Sequence, residues 1–262
     1  MNEARDISQK INTSFKVLFY IFLGATIFLT FYKPALPGHE ELLPEIKNPP
    51  EQEAVDESDI KVKIEDFSYT LEPKFSYGLY GLVVSLYDSD SFLDISHKND
   101  PNNVRDLCVV WGENAKNSDY QKIKYKSGEF TCFFRWKGDR GEFNPKDLSN
   151  NHIIPKNSVV SDIVRDVNIG DQIYIEGLLV DYSVKLPDDS VAFKRSTSTT
   201  RGDAGNGACE IIYVENIEIL KRGNAWFYTS KKIARWGIWV LLALWIIFNI
   251  VTSKYKKKLK KI

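Results

Sequence analysis

Hydrophobic and polar positions along the chain fall into three regimes. In the first they alternate. Gly170-Asp171-Gln172-Ile173-Tyr174-Ile175-Glu176 opens with a Gly-Asp turn and then sets Ile173 and Ile175 against Gln172, Tyr174 and Glu176. A period of two is the mark of a half-buried strand. Gly177 interrupts the rhythm, and Leu178, Leu179 and Val180 beyond it are apolar on both faces. A strand that bends at glycine and is then covered on both sides suits a small, strongly coiled barrel. Tyr80-Gly81-Leu82-Val83-Val84-Ser85 repeats the design. The same reasoning predicts strands near residues 61–67, 77–87, 106–111, 122–125, 129–136, 171–183, 191–194 and 208–220. Residues 89–105, 138–157 and 195–207 read as long polar loops, which on a barrel often carry function.

The second regime is helical. Val159, Val160, Ile163, Val164 and Val167 recur at helical spacing, and Asn157 or Ser158 can cap the segment. Such a helix, leading through Asn168-Ile169 into Gly170-Asp171, would close one end of the barrel. In the third regime apolar residues run unbroken. Residues 17–32 form one run behind Arg5, Lys10 and Lys16, and residues 236–252 form another, with Trp236, Trp239 and Trp245. Both predict membrane spans. The first is short enough to be read alternatively as a cleaved signal peptide. Lys33-Pro34-Ala35-Leu36-Pro37 follows it without a small-x-small site, which favours an uncleaved anchor.

Charge sharpens this division. Residues 34–220 hold 20 Lys/Arg against 33 Asp/Glu, whereas residues 221–262 hold eleven Lys/Arg and no acid. The chain therefore divides into a cytoplasmic N-terminus (1–16), a first span (17–32) and an extended, self-repelling Pro-rich acidic stalk (33–59). A β domain (60–220), a basic interfacial segment (221–235), a second span (236–252) and a polybasic cytoplasmic tail (253–262) follow. Lysines at both ends predict cytoplasmic termini and a translocated middle, as in a two-pass protein of a bacterial inner membrane. Lys221, Arg222, Lys231, Lys232 and Arg235, on the outer side of the second span, run against that orientation unless they lie on anionic lipid. An acidic middle also argues against nucleic acid as a partner.

Candidate chemistry is sparse. Cys108 and Cys132 lie in strand-like segments and can pair across neighbouring strands in an oxidising compartment; the alternative is three buried thiols, Cys209 included. His97 and His152 stand in polar stretches with Asp or Asn beside them. They read either as a metal or general-base pair or as plain turn residues, with Asn150 and Asn151 building the turn. The stretch 195–210 gathers hydroxyls, Arg195, Arg201, Asp203 and three glycines, a composition able to wrap an anion, though equally that of a surface loop. Cys209 is either a nucleophile served by His97 or His152 or a buried residue opening the last strand. Gly-Lys-Ser/Thr phosphate loops, Gly-x-Ser-x-Gly, His-Glu-x-x-His and Cys-x-x-Cys are all missing, and nothing implies a metal or a cofactor.

The run from Ile163 to Val180, a short helix followed by Gly-Asp-x-Ile-x-Ile-x-Gly-x-Leu, resembles the strand entry of many OB-type barrels. Together with Gly81-Leu82-Val83-Val84-Ser85, Asp106-Leu107-Cys108-Val109-Val110-Trp111-Gly112 and Gly205-Asn206-Gly207-Ala208-Cys209-Glu210, it is similar to uncharacterised bacterial membrane-anchored proteins. That resemblance implies a fold and no activity. The expected fold is mainly β, a small OB-like barrel with one helix, flanked by two transmembrane helices. The expected function is that of an accessory or sensor protein binding a protein, peptide or envelope ligand. Its rival is a membrane-tethered hydrolase or transferase using His97, His152 and Cys209.

Overall fold

The structure, a computed structural model, describes residues 2–89, 100–128, 130–138, 141–200 and 209–259. The described elements are α1 (Asn2–Phe31), β1 (Glu51–Ala54), β2 (Ile60–Ile64), β3 (Phe67–Asp88), β4 (Arg105–Val110), β5 (Ile123–Gly128) and β6 (Thr131–Trp136). They continue with β7 (Leu148–Pro155), α2 (Ser158–Asp166), β8 (Gln172–Lys185), β9 (Val191–Arg195), β10 (Cys209–Lys221) and α3 (Ala225–Leu259), with short 3-10 turns between. The chain falls into two units, Met1–Pro34 with Asn224–Ile262, and Ala35–Gly223.

The first unit is a pair of long apolar helices. Both are long and apolar enough to cross a membrane, over Asp6–Phe31 and Ala225–Lys254. Their contacts run in opposite directions along the chain. Asn12 Oδ1 accepts from Trp245 Nε1 at 3.0 Å, Phe15 meets Phe248, and Phe22 lies where a side chain at Gly237 would be. At the far end Leu29 packs with Phe227 and Ala234. Gly237 thus lets the helices approach where a larger residue would hold them apart.

The second unit is mainly β. Its sheet runs β1-β3-β4-β7-β10-β8-β9, with β2 beside β3; only β7 and β10 are parallel. β3 is long enough to serve two neighbours. It pairs with β8 over Ser68–Leu82 and with β4 over Leu82–Asp88, so the succession β3-β4-β7-β10-β8 returns to β3. At Gly177 two backbones of this succession approach closely. A Cβ there would collide with the Tyr213 carbonyl of β10, beside a register shift between Val214 and Asn216. The bend expected at this glycine is a close approach of two backbones.

Period-two alternation sends Leu79, Leu107, Val109, Ile153, Ile173, Ile175, Ile212 and Val214 into one core. α2 covers it with Val160 and Val164. Asn157 caps that helix, its side chain accepting from the Val160 amide at 3.0 Å. At the end of β10, Asp171 is fully buried and accepts from the amides of Asn168 and Gly223 and from Arg222.

Three expectations need correction. Residues 33–59 are no stalk from Ala35 onward. Leu42 and Ile46 are buried in a core with Leu82, Val110 and Tyr120, and β1 pairs with β3. The acids and prolines of this segment hide isolated apolar anchors and a strand that binds through its backbone. Next, residues 148–155 of the expected loop are the buried strand β7. Last, residues 221–235 are not one segment: Lys221 donates to the Glu41 carbonyl and Arg222 to Asp166 and Asp171, while residues from Ala225 onward belong to α3.

Candidate functional site

Strand β7 carries Asn150, Asn151 and His152 into the interior, all at most 5% exposed. Polar side chains survive there only where they satisfy one another. The pairing register puts Asp106 of β4 directly opposite His152, and Cys108 opposite Asn150. Directly opposed residues share a face. His152 Nδ1 lies 2.9 Å from Asp106 Oδ1, and Asn150 Nδ2 donates to the other carboxylate oxygen at 3.2 Å. Asn103 Nδ2 approaches Asp106 Oδ1 at 3.4 Å.

On its other side His152 Nε2 lies 2.9 Å from the Tyr182 hydroxyl and 3.5 Å from Asp100 Oδ2. Tyr182 donates to Asp100 Oδ2 at 2.6 Å and Tyr69 to Asp100 Oδ1 at 3.0 Å. An imidazole between two buried carboxylates is held as imidazolium. Burial opposes the charge, but Asp106 and Asp100 outweigh it and push the His152 pKa up to about 9. Asp100 answers in kind: burial would raise its carboxyl, yet the bond and charge of His152 and the tyrosine hydroxyls hold it below its usual range. Burial and the neighbouring Asp100 drive Tyr182 and Tyr69 upward, keeping both phenols neutral donors.

Cys209, which opens β10 opposite Asn150, joins the edge of this network. Its thiol donates to the Phe130 carbonyl at 2.6 Å and lies 3.5 Å from Asn150 Nδ2. Burial pushes it up to about 11, away from thiolate chemistry. Phe130 covers the network. It takes the left-handed φ of 59° at the turn between β5 and β6, its ring lies 5.6 Å from His152, and the Arg195 guanidinium sits 3.5 Å above it. Thr197 and Ser198 are buried beside it, Thr197 taking the Asp181 carboxylate on its amide and the Ile211 amide on its hydroxyl.

Of the residues singled out from the sequence, His152, Cys209 and Arg195 meet around Phe130. His97, Arg201 and Asp203 lie outside the described residues. The turn reading of His152 with Asn150 and Asn151 is overturned, because all three belong to β7 and pair with β4. Cys108 and Cys132 are joined in a disulfide with Cα atoms 5.8 Å apart. The expectation that they sit on neighbouring strands is corrected: β4 is in the main sheet, and β6 forms a separate two-stranded sheet with β5.

Sequence reasoning missed Asp100, Asp106, Tyr69, Tyr182, Asn103 and Phe130. One signal was present: Asp106 is a carboxylate at the head of an otherwise apolar strand, Asp-Leu-Cys-Val-Val. The orphans are as telling as the bonds. Both asparagine amides face Asp106, so their Oδ1 atoms are turned from it, and buried Asn103 Oδ1, Asn150 Oδ1 and Asn151 Oδ1 have no hydrogen-bond partner. Among the described residues no group of three or more His, Cys, Asp or Glu side chains has the geometry to hold a metal ion. Comparison with protein-family models, with curated proteins and with solved structures found no match for this chain.

Proposed function

We propose that this protein is a two-pass, membrane-anchored accessory or sensor protein whose acidic domain binds a protein, peptide or envelope ligand outside the cytoplasm. The observation that carries the reading is the state of His152 and Cys209. A base needs a free lone pair, and both nitrogens of this imidazole are engaged, Nδ1 beside Asp106 and the Asn103 amide and Nε2 beside the Tyr182 hydroxyl. A nucleophile needs thiolate, and the Cys209 thiol is spent on the Phe130 carbonyl. These groups organise a wall of the domain, which favours binding over hydrolysis or group transfer.

The connectivity supports an OB-like barrel. Strands β3, β4, β7, β8 and β10 pair in the order first-second-third-fifth-fourth-first, with one parallel contact between third and fifth and a helix between third and fourth. In that fold ligands meet the face of the second and third strands and the loops around it. Here that face is filled by the His152 network, with Arg195, Thr197 and Ser198 laid against it. The stretch 195–207, with Arg201 as its charge anchor, is then the ligand-contacting rim.

The opposed run of α1 against α3 supports both termini on one side of the membrane, and the lysines at both ends favour the cytoplasmic side. The disulfide suits the oxidising side for the domain. Crosslinking from native membranes tests the function: Arg201→Ala is expected to lose a captured partner without loss of fold. Retention of every partner by that variant, with partners captured instead by a face remote from residues 195–207, removes the rim from the reading. For topology, Asp188→Cys in a Cys209→Ser background is expected to react with a membrane-impermeant thiol reagent in intact cells.

A further inference from the structure

β5 and β6 form a two-stranded sheet of their own, and its two faces differ in chemistry. Opposed pairs on one face are Ile123 with Trp136, Tyr125 with Phe134 and Ser127 with Cys132; on the other they are Lys124 with Arg135 and Lys126 with Phe133. The first face is fixed to the domain. Ile123 is buried, Tyr125, Phe134 and Trp136 pack around Phe143, and Cys132 is bonded to Cys108.

The second face is open. Lys124, Lys126, Phe133 and Arg135 are all exposed, and Phe133, at 58%, is the most exposed aromatic among the described residues of Ala35–Gly223. The Phe133 ring lies where a side chain at Gly128 would be, so the glycine leaves it room on this face. None of the three cations makes an ion pair, and no acidic side chain shares this face among the described residues. Its neighbour Lys122 differs, paired with Asp119. In a stretch of chain with 33 acids against 20 bases, three cations beside an exposed ring on one face of a hairpin make a local positive patch.

We propose that this outer face of the β5–β6 hairpin docks on the anionic headgroups of the bilayer in which the chain is anchored, with Phe133 entering the interface and Lys124, Lys126 and Arg135 meeting lipid phosphates. The charges are complementary, and a ring framed by cations is the composition that binds anionic interfaces. Only Tyr32, Lys33 and Pro34 separate α1 from the domain, and only Asn224 separates it from α3, so the local concentration of headgroups is high without any further contact. The disulfide serves this role by fixing the hairpin, so that docking orders few groups that were free before. The proposal goes beyond the ligand-binding reading, and its test scores capture at the hairpin apart from capture at residues 195–207.

The test uses the full chain in vesicles of phosphatidylcholine alone or of equimolar phosphatidylcholine and phosphatidylglycerol, with Phe133 replaced by the photo-crosslinker p-benzoylphenylalanine. Expected is about tenfold more lipid adduct in the anionic vesicles. That gain should vanish when Lys124→Glu, Lys126→Glu and Arg135→Glu are added. The same crosslinker at Val159, 67% exposed on α2, is the reference and should show no such dependence. Adduct formation indifferent to lipid charge, or unchanged by the three reversals, overturns the proposal. So does capture of a protein in place of lipid when the experiment is repeated in native membranes. An intact disulfide on a non-reducing gel confirms that the reversed variant keeps its hairpin. Capture at residues 195–207 is scored separately, so loss of one contact leaves the other measurable.

Discussion

Strands β4, β7 and β10 bury both faces, and on one of them a charged network stands among the apolar side chains. One presents Leu107, Val109, Ile153, Ile212 and Val214 to the core beneath α2. The other presents Asp106, Asn150 and His152, with Cys209 at its edge. The apolar face is stabilised by area removed from water, roughly in proportion and with no demand on orientation. The polar face carries at least two carboxylates and an imidazolium out of water, and its stability is conditional on every partner being present. The two faces should therefore fail differently. The apolar face loses stability by increments, whereas the polar face fails at a single deletion.

The largest effect is expected where that condition is broken. Asp106→Ala leaves a buried imidazolium facing Asp100 alone and strips Asn103 and Asn150 of their acceptor, and should cost about 3–5 kcal/mol. Chemical denaturation of the full chain in lipid measures it. A loss below that of Val109→Ala on the apolar face would show that the polar face is held by its surroundings and not by its pairing. Next comes the covalent tie between the hairpin and β4. Replacing Cys108 and Cys132 together by Ala should cost about 2–4 kcal/mol. The variant's own stability should be the same in reducing and oxidising buffer, whereas the wild type should fall towards it in reductant.

The same contrast explains what could be read from the sequence. The apolar face announces itself locally, because Ile173, Ile175, Leu178 and Leu179 alternate and then run together within a single strand. The spacing of Val160 and Val164 and the two unbroken apolar runs are equally local signals. The polar face has no such signal. Asn150-Asn151-His152 reads as a turn until Asp106 is placed opposite it, and that placement is a matter of register between distant segments. Residues 35–54 were misread for a related reason: β1 is bound through its backbone, and Leu42 and Ile46 are too few to make a period. The hairpin was legible as two strands, but which of its faces is open depends on the disulfide and on Phe143.

A smaller loss is expected from the apolar side by crowding. Gly177→Val places side-chain atoms against the Tyr213 carbonyl, a backbone group that cannot rotate aside, and should destabilise by roughly 1–3 kcal/mol. Gly81→Ala is the useful partner variant, because its Cβ would meet only the Val109 side chain at close range, which can turn away. An unchanged denaturation midpoint for Gly177→Val would mean that the two backbones are not held together there.

The last effect separates the two faces most sharply, because it is a slope against pH. His152 has its folded pKa raised to about 9, above the ordinary value of 6.5 that it takes when unfolded. Between those values the folded chain binds more protons than the unfolded one, so stability falls as pH rises. The contribution is complete below 6.5, declines by about 1 kcal/mol per pH unit across the window, and is gone once pH passes the folded value. The groups facing the imidazole do not reverse this sign. Asp100, held low, loses its contribution only as pH falls into the acid range, and Tyr182 and Tyr69 release no proton within the window. Cys209, pushed up to about 11, adds a further decline of the same sign only above the window. Thermal unfolding of the full chain in lipid should thus show a midpoint that drops steadily from pH 7 to pH 9. His152→Gln should lower the midpoint at pH 7 and flatten the slope. Ile153→Val, on the other face of the same strand, should lower the midpoint by an equal amount at both pH values and leave the slope as it was. A wild-type midpoint that does not move between pH 7 and pH 9 would mean that His152 is buried neutral, with the two aspartates balanced by another donor.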